Sequence, residues 1–127
     1  MKKIGVILVD HGSRRERSNR GFEEIVEQFA KAYPHYIVEP AHMELAEPTL
    51  AQAFAKVTQR GASELIVHPY FLLPGRHSKE DIPNMCEALA KEYPGLKWAV
   101  TDPLGYDARI LEVVDNRLQE TIKSSQG

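Results

Sequence analysis

The stretch IGVILV at residues 4–9, followed at once by Asp10 and His11, decides the fold of this chain. A continuous apolar run rich in β-branched residues is typical of a strand buried on both faces, as in parallel sheets. A helical apolar period follows it and ends before Pro34. The buried face predicted for this helix comprises Phe22, Ile25, Val26, Phe29 and Tyr33. Strand and helix together predict a βα unit.

The same alternation occurs three more times along the chain. Apolar runs predict strands over residues 36–43, 64–71 and 96–101, each followed by a helical pattern. Pro40 lacks a backbone donor, which places the second strand at a sheet edge or at a bulge. Four consecutive βα units predict an α/β fold, a four-stranded and mostly parallel sheet flanked by helices.

Caps and breakers set the predicted limits of the last three helices. Pro48 suits a first helical turn, and Gly61 suits a helix end. Asp81 is the predicted N-cap of the third helix and Asp107 that of the fourth. The third helix should bury Ile82, Met85, Leu89 and Tyr93, and the fourth should bury Leu111, Val114, Leu118 and Ile122.

Length and composition restrict the class of protein. The 127 residues predict one domain over residues 1–127, with a frayed tail at 124–127. The formal charge of -2 argues against a nucleic-acid partner, and no apolar stretch is long enough to predict a membrane span. The single cysteine, Cys86, excludes an intramolecular disulfide and a multi-cysteine metal site, and it fits a reducing compartment. We therefore expect a soluble, cytoplasmic protein.

Reactive side chains cluster after the predicted strands. Ligands of open parallel sheets bind beyond the carboxyl ends of the strands, where the βα loops gather. The candidates there are His11, Glu44, Glu47, His77, Asp102 and Asp107. Imidazole with carboxylate is a ligand set for a divalent transition metal. His42 and His68 fall inside strands and are expected to be hydrogen-bonded core or edge histidines, and His35 is expected to be exposed.

Several alternatives stand beside a metal site. Glu47 before Pro48 can equally complement a helix dipole, and Gly75 can simply serve a turn. The sequence lacks a glycine-rich phosphate motif and a G-x-S-x-G elbow. A phosphoryl-transfer role for His11 is disfavoured, because Asp10 would repel a phosphate.

The loop after the third strand combines apolar and basic residues. Residues 70–73 lead into it as an apolar wall that suits a planar ligand. Basic side chains adjoin both candidate histidines, and in a cleft they would attract a polyanion: Arg14, Arg15, Arg76 and Lys79.

Three segments, in this order and spacing, resemble the sirohydrochlorin chelatases of the CbiX and SirB type, which are class II chelatases. They are DHGSR at 10–14, MELAEPT at 43–49 and FLLPGRHSKEDIP at 71–83. The resemblance implies a chelatase-like fold, equivalent to one flavodoxin-like half. It also implies ATP-independent insertion of a divalent metal into sirohydrochlorin, a carboxylate-rich tetrapyrrole, with no cofactor beyond that metal.

The resemblance also assigns roles to residues. His11 and His77 correspond to the two metal-binding histidines, and His11 also to a proton acceptor. Positions associated with the tetrapyrrole correspond to Glu47, Leu72, Leu73, Pro74, Gly75, Arg76 and His77. We add Glu44 as a catalytic carboxylate near the metal. Imidazole holds Co²⁺ or Fe²⁺ less tightly than thiolate does, and with an ordinary pKa of ~6.5 it can accept a displaced pyrrole proton.

Cobalt insertion for cobalamin is the leading hypothesis, and iron insertion for sirohaem is the alternative within the family. A histidine-rich insertion found in archaeal nickel-using relatives is missing, which weakens a nickel role, and a single cysteine does not match the iron–sulfur plant-type members. A non-catalytic metal or tetrapyrrole carrier is the alternative from another class. Because larger chelatases have two such halves facing across a cleft, we expect a homodimer with both carboxyl edges on one cavity.

Overall fold

The computed structural model describes residues 2–126, and over these residues four strands alternate with four α-helices. In chain order they are β1 (Ile4–Asp10), α1 (Glu16–Ala32), β2 (Ile37–His42), α2 (Leu50–Gln59), β3 (Glu64–Pro69), α3 (Ile82–Ala90), β4 (Lys97–Val100) and α4 (Ala108–Gln126). A π-helical turn, His77–Asp81, leads directly into α3 and is called the π-turn below. The predicted βα order is confirmed.

The four strands form one parallel sheet in the order β2-β1-β3-β4. β1 is central, and both of its faces are buried, as its unbroken apolar run predicts. β2 lies at an edge, as Pro40 predicts, since an edge strand tolerates a missing backbone donor. The α/β fold class is therefore confirmed.

Two separate cores lie on the two faces of the sheet. On one face α2 and α3 cover the sheet, and Phe54 and Ile82 are fully buried against Leu65. On the other face α1 packs Phe22 and Val26 against β1 and β2. Burying each such large side chain contributes about 1.5–3 kcal/mol.

Helix α1 buries a narrower stripe than its period predicts. Ile25 and Tyr33 remain 44% and 48% exposed, so their predicted burial is wrong. The cause is position, because α1 covers the β1 and β2 half of its face and no more.

The starts of α2 and α3 differ from their predictions. Helix α2 begins after the N-cap Thr49, which forms a capping box with Gln52, so Pro48 precedes the helix instead of lying in its first turn. Asp81 makes no side-chain cap bond, because the π-turn continues straight into α3. Gly61 follows the C-cap of α2 with φ of 99°, as a helix-ending glycine should.

Helix α4 departs most from its prediction. Asp107 does cap it, accepting the backbone N–H of Arg109 at 2.9 Å. Its apolar stripe, however, is exposed by 44–55% at Leu111, Val114, Leu118 and Ile122, so the predicted inward packing is wrong within this chain. The physical reason is that α4 lies apart from the sheet, and every residue from 111 to 125 is exposed. Residues 124–126, predicted to be frayed, belong to the helix, and Gly127 lies outside the described residues.

None of the helices among the described residues combines the length and apolar character that a membrane crossing requires.

Candidate metal and tetrapyrrole site

The strand order creates a crevice between β1 and β3. The chain leaves β1 towards β2 on one side and later returns to β3 on the other, which makes this position the topological switch point. His11 follows β1 and His77 opens the π-turn after β3. The two ring centroids are 4.9 Å apart. The structure thus brings together the two histidines that sequence reasoning placed at this edge.

Glu44 joins the pair from the loop after β2. Its Oε1 lies 2.9 Å from His11 Nε2, and its backbone N–H donates to the carbonyl of His11 at 3.0 Å. The backbone N–H of Met43 donates to Asp10 in the same way, at 2.8 Å. The loops after β1 and β2 are therefore fixed to one another by backbone bonds as well as by the side-chain contact.

Gly12 makes this close approach possible. Its φ is 94°, a left-handed conformation that favours glycine, and a Cβ at this position would lie 1.9 Å from the Glu44 carbonyl oxygen. Any side chain here would force the two loops apart and separate His11 from Glu44.

His77 is oriented by a carboxylate one turn further along the π-turn. Its Nδ1 lies 2.9 Å from Asp81 Oδ2, which leaves Nε2 as the nitrogen available to a metal. This arrangement, a ligating imidazole held by an outer carboxylate, fixes the ring orientation and raises the basicity of the ligand. Sequence reasoning assigned Asp81 to a helix cap, although its spacing of four residues from His77 could have signalled the pair.

A buried histidine lies behind the site. His42 is fully buried, and its Nδ1 and Nε2 lie 2.6 Å and 2.7 Å from carboxylate oxygens of Asp10 and Glu23. Burial lowers the pKa of His42, but the hydrogen bonds to Glu23 and Asp10 and the attraction of both carboxylates outweigh it, so the net pKa is raised. The prediction that His42 is a hydrogen-bonded core histidine is confirmed, while its carboxylate partners were missed.

Other predicted residues lie outside this group. Glu47 lines a separate cavity of about 320 Å³ together with Arg14, Arg20 and Glu23. Asp107 is paired with Arg109 at 2.8 Å.

Asp102 and His68 lie near the carboxyl ends of β4 and β3. Asp102 offers its backbone carbonyl to the Thr101 hydroxyl at 2.9 Å. His68 Nδ1 contacts Thr101 Oγ1 at 2.7 Å, in line with its predicted edge role, and burial lowers its pKa.

The predicted apolar wall is open to solvent. Leu72 and Leu73 are 56% and 68% exposed, and residues 74–76 are exposed too. Ser78 is buried beneath this segment, where its hydroxyl donates to the Gly75 carbonyl and accepts the Gly75 N–H. The ring of Phe71, which begins this segment, lies 6.4 Å from the ring of His77, and the Arg76 guanidinium lies 3.8 Å from Glu80.

This donor set suits a metal that is held and then released. Among residues 2–126, no group of three or more His, Cys, Asp or Glu side chains is arranged to enclose a metal ion. The two facing imidazoles of His11 and His77 leave coordination positions open, and imidazole binds Co²⁺ or Fe²⁺ without the strong preference of thiolates. A second ligand can approach such an ion and take it over.

The fold and the paired histidines at its switch point are those of an α/β protein with a candidate metal site at the carboxyl edge of its sheet. The CbiX family model matches residues 5–121. The chain belongs to the CbiX family, as its three sequence segments predict.

Two relatives illustrate the family's range. The chain is 46% identical over 123 residues to the chloroplastic sirohydrochlorin ferrochelatase of Arabidopsis thaliana, covering 97% of this chain and 55% of that protein. It is 32% identical to the sirohydrochlorin cobaltochelatase of Sulfurisphaera tokodaii, covering 95% and 96%. The expectation that plant-type members are not matched is therefore wrong, since a plant protein is 46% identical over 123 residues.

A solved structure supports the fold and its size. SirB from Bacillus subtilis with Fe³⁺ superposes with a TM-score of 0.89 at 28% identity, covering 94% of this chain and 47% of that chain. This chain thus spans about half the length of the plant and Bacillus proteins and nearly all of the archaeal one.

Proposed function

We propose that this protein is a sirohydrochlorin chelatase that inserts a divalent metal, Co²⁺ in the leading hypothesis, in cobalamin biosynthesis. The observation that carries the proposal is the His11 and His77 pair, with ring centroids 4.9 Å apart and Glu44 at 2.9 Å from His11. The relatives in the same family are named sirohydrochlorin cobaltochelatase and ferrochelatase.

The geometry divides the reaction between the two sides of the crevice. His77, held by Asp81, supplies one imidazole to the incoming metal, and His11 supplies the other. Insertion releases two pyrrole protons. Once the metal has passed from His11 to the ring, the freed imidazole can accept one proton and the neighbouring Glu44 carboxylate the other. The exposed Leu72 and Leu73 would support the ring, while Arg76 would meet its carboxylate arms.

The cavity that Glu47 lines is a second place where the substrate can contact this protein. Arg14 and Arg20 line it, so it can receive a carboxylate arm of the macrocycle. Glu47 would then contact the arm through a shared proton or through a neighbouring arginine. We place Glu47 at the rim of the tetrapyrrole site and not at the metal.

Iron is the alternative metal, and the relatives support both metals. The Arabidopsis ferrochelatase has the higher identity of the two relatives, whereas the Sulfurisphaera cobaltochelatase matches in length. A ligand set of two imidazoles and a carboxylate does not distinguish the two ions, because geometry and availability decide selectivity. Iron insertion would serve sirohaem synthesis.

We also propose a cytoplasmic homodimer that needs no resident cofactor and no nucleic-acid or membrane partner. The chain's match to 47% of the SirB chain supports the dimer, because a second copy would supply the other half of a two-sided cavity. The single cysteine, buried and unpaired, fits a reducing compartment.

A metal-insertion assay tests the activity. Purified protein at one-hundredth of the sirohydrochlorin concentration is mixed anaerobically with Co²⁺ or Fe²⁺, and the macrocycle absorbance is followed. Conversion of many equivalents identifies an enzyme, and conversion limited to one equivalent identifies a carrier and contradicts the proposal. The metal with the higher kcat/KM is the assigned substrate.

Variants of the two histidines test the assignment. We expect His11→Ala and His77→Ala each to reduce the rate of metal insertion by about 100-fold or more. Each substitution removes a metal ligand, and His11→Ala also removes a base. His35→Ala is the matched control, because His35 is exposed at the opposite edge of the sheet. Both site variants inserting metal at the control rate would refute the assignment.

A further inference from the structure

A buried amide lies beneath the loop that carries His11. Asn19, in the first turn of α1, is only 8% exposed, although the proposed metal insertion does not use it. It begins the stripe that α1 buries, because Phe22 and Val26 follow it at spacings of three and four residues. Burying an amide costs free energy unless its oxygen and its nitrogen are both hydrogen-bonded. Asn19 therefore needs polar partners of its own at the edge of this apolar stripe.

Both partners of the amide belong to the backbone of one residue, Ser13. The Ser13 N–H donates to Asn19 Oδ1 at 2.9 Å, and Asn19 Nδ2 donates to the Ser13 carbonyl at 2.7 Å. A backbone N–H can only donate and a backbone carbonyl can only accept, so these contacts fix which end of the amide faces which group. Because Asn19 is anchored by the packing of α1, the two bonds hold the loop after β1 in a fixed position.

The Ser13 N–H belongs to the same peptide unit as the Gly12 carbonyl. A peptide unit is planar, so a bond that fixes the N–H also fixes the direction of the carbonyl. On the other side of this unit, His11 Nδ1 lies 3.1 Å from the Gly12 carbonyl oxygen. That oxygen can only accept, so Nδ1 donates the hydrogen bond, and Nε2 of His11 is left as the nitrogen that a metal can bind.

The two candidate metal ligands are thus oriented in the same way by different groups. Each ring is held through Nδ1, His77 by the Asp81 carboxylate and His11 by the Gly12 carbonyl. Carboxylates and backbone carbonyls are the usual outer partners of metal-binding histidines. The carboxylate of Asp81 is held by its own side chain, whereas the direction of a carbonyl depends on the backbone on either side of it.

That backbone contains a glycine, which has little conformational preference of its own. Gly12 has φ of 94°, and glycine adopts many other conformations at little cost. Glu44 fixes the peptide before Gly12, because its N–H donates to the His11 carbonyl at 3.0 Å. The peptide after Gly12 is fixed by Asn19 through the Ser13 N–H. Each side of the glycine therefore has its own hydrogen bond.

We propose that Asn19 is a positioning residue for His11. Through the Gly12–Ser13 peptide it holds the tautomer and the ring direction in which Nε2 of His11 faces the metal. A peptide whose N–H is hydrogen-bonded is also polarised, so its carbonyl accepts the His11 bond more strongly. The inference rests on the metal-binding role of His11 in the proposed function.

Binding of Co²⁺ in the absence of sirohydrochlorin tests the proposal. Asn19→Leu keeps the approximate size of the side chain and removes both bonds to Ser13, so we expect the dissociation constant for Co²⁺ to rise by about 10-fold. Thr58→Val is the matched control. It removes the hydroxyl that donates to the carbonyls of Phe54 and Ala55 in the last turn of α2, and it should leave the dissociation constant unchanged. Titration calorimetry measures the affinities, and urea denaturation establishes the conditions in which both variants are folded.

The proton on His11 Nδ1 provides a readout that a purely structural role would not change. In the Co²⁺ complex, the unpaired electrons of the metal shift the N–H signals of coordinated imidazoles far outside the ordinary proton range. We expect one such signal from each histidine, and His11→Ala identifies the signal of His11 by its loss. In Asn19→Leu, the His11 proton should exchange with solvent about 10-fold faster, because its carbonyl partner is no longer held, while the His77 signal should be unchanged.

Asn19→Asp provides a second variant in case Asn19→Leu does not fold. It keeps an acceptor for the Ser13 N–H, so the His11 signal should retain its native exchange rate, and loss of that signal would contradict the proposal. A native dissociation constant or an unchanged His11 signal in Asn19→Leu would overturn it.

Failure of the metal assignment is recognised separately. If the native protein binds no Co²⁺, or if His11→Ala binds it as tightly as the native protein does, the metal-binding role of His11 is wrong and the role of Asn19 is refuted with it. If His11→Ala weakens binding and Asn19→Leu does not, only the role of Asn19 is refuted.

Discussion

The two sides of the crevice present similar groups but are built differently. On the β1–β2 side, His11 is fixed by backbone bonds between the two loops, by Gly12 and by the buried His42 behind them. On the β3 side, His77 stands on an exposed segment and is oriented by a single carboxylate, Asp81. The β1–β2 side is supported by the buried His42, whereas residues 72–77 on the β3 side are exposed.

This difference matches the two tasks that the proposed metal insertion would set. A base must keep its position relative to the ring nitrogens, and the β1–β2 side provides a rigid support for it. A metal carrier and an apolar surface must adjust as a broad ring enters and leaves, and the β3 side has fewer contacts to break. Substitutions on each side of the crevice test this contrast.

Substituting the glycine on each side should give the largest contrast. Gly12→Ala forces a Cβ into the Glu44 carbonyl at a positive φ, and we expect a loss of at least about 3 kcal/mol in the free energy of unfolding. Gly75→Ala meets no atom within 4 Å and should change it by less than about 0.5 kcal/mol. Urea denaturation measures the free energy of unfolding of both variants. Similar losses would show that the two sides of the crevice do not differ in rigidity.

Replacing the buried histidine should weaken the rigid side next. His42→Gln can satisfy one carboxylate at most, which leaves Asp10 and Glu23 close together with one of them unpaired. We expect a loss of about 2 kcal/mol, reduced by the partial exposure of both carboxylates. His68→Gln, which removes a single contact to Thr101, is the control and should cost less than about 1 kcal/mol. Equal losses of unfolding free energy in the two variants would mean that the contacts of His42 with Asp10 and Glu23 do not contribute to stability.

Removing the carboxylate on the β3 side should affect metal binding more than folding. Asp81→Asn weakens the orientation and basicity of His77, so we expect Co²⁺ affinity to fall by about 10-fold or more. The free energy of unfolding should be nearly unchanged, because the Asp81 side chain is about one-third exposed and forms no helix cap. Glu80→Gln removes the neighbouring charge and is the control. Titration calorimetry measures the affinities, and an unaltered Asp81→Asn value would contradict this role.

The smallest expected effect is a pH dependence on the rigid side. The pKa of His42 is raised in the folded state, so its contribution to stability is complete below the ordinary histidine pKa of ~6.5 and is lost as pH rises through the raised value. The stability difference between the native protein and His42→Gln should therefore shrink from about pH 6 to about pH 9. Urea denaturation at both values tests this, and a constant difference would show that the proton is not held.

Sequence patterns predicted the fold and the proximity of His11 and His77, because both follow from local signals. Apolar runs identify parallel strands, and the carboxyl-edge rule places His11 and His77 together without knowledge of any distance. The partners of these residues depend on packing. Glu23 meets His42 because α1 crosses the end of β2, and no pattern in either segment records that crossing.

Two other errors have the same origin. The Pro74-Gly75 pair signals a turn, which concealed the π-turn that places Asp81 on His77. The apolar period of α4 is correct, but a period indicates that a face must be covered and not what covers it.

The strand order has a consequence for how the chain folds. His11 and His77 meet across the β1–β3 ladder, which pairs segments that are about 60 residues apart in the chain. An unfolded or nascent chain therefore presents isolated imidazoles, unlike a chain with closely spaced ligands that can capture metal before it folds. Under the proposed metal assignment, metal ions would bind the native state in preference to the unfolded chain and would stabilise it.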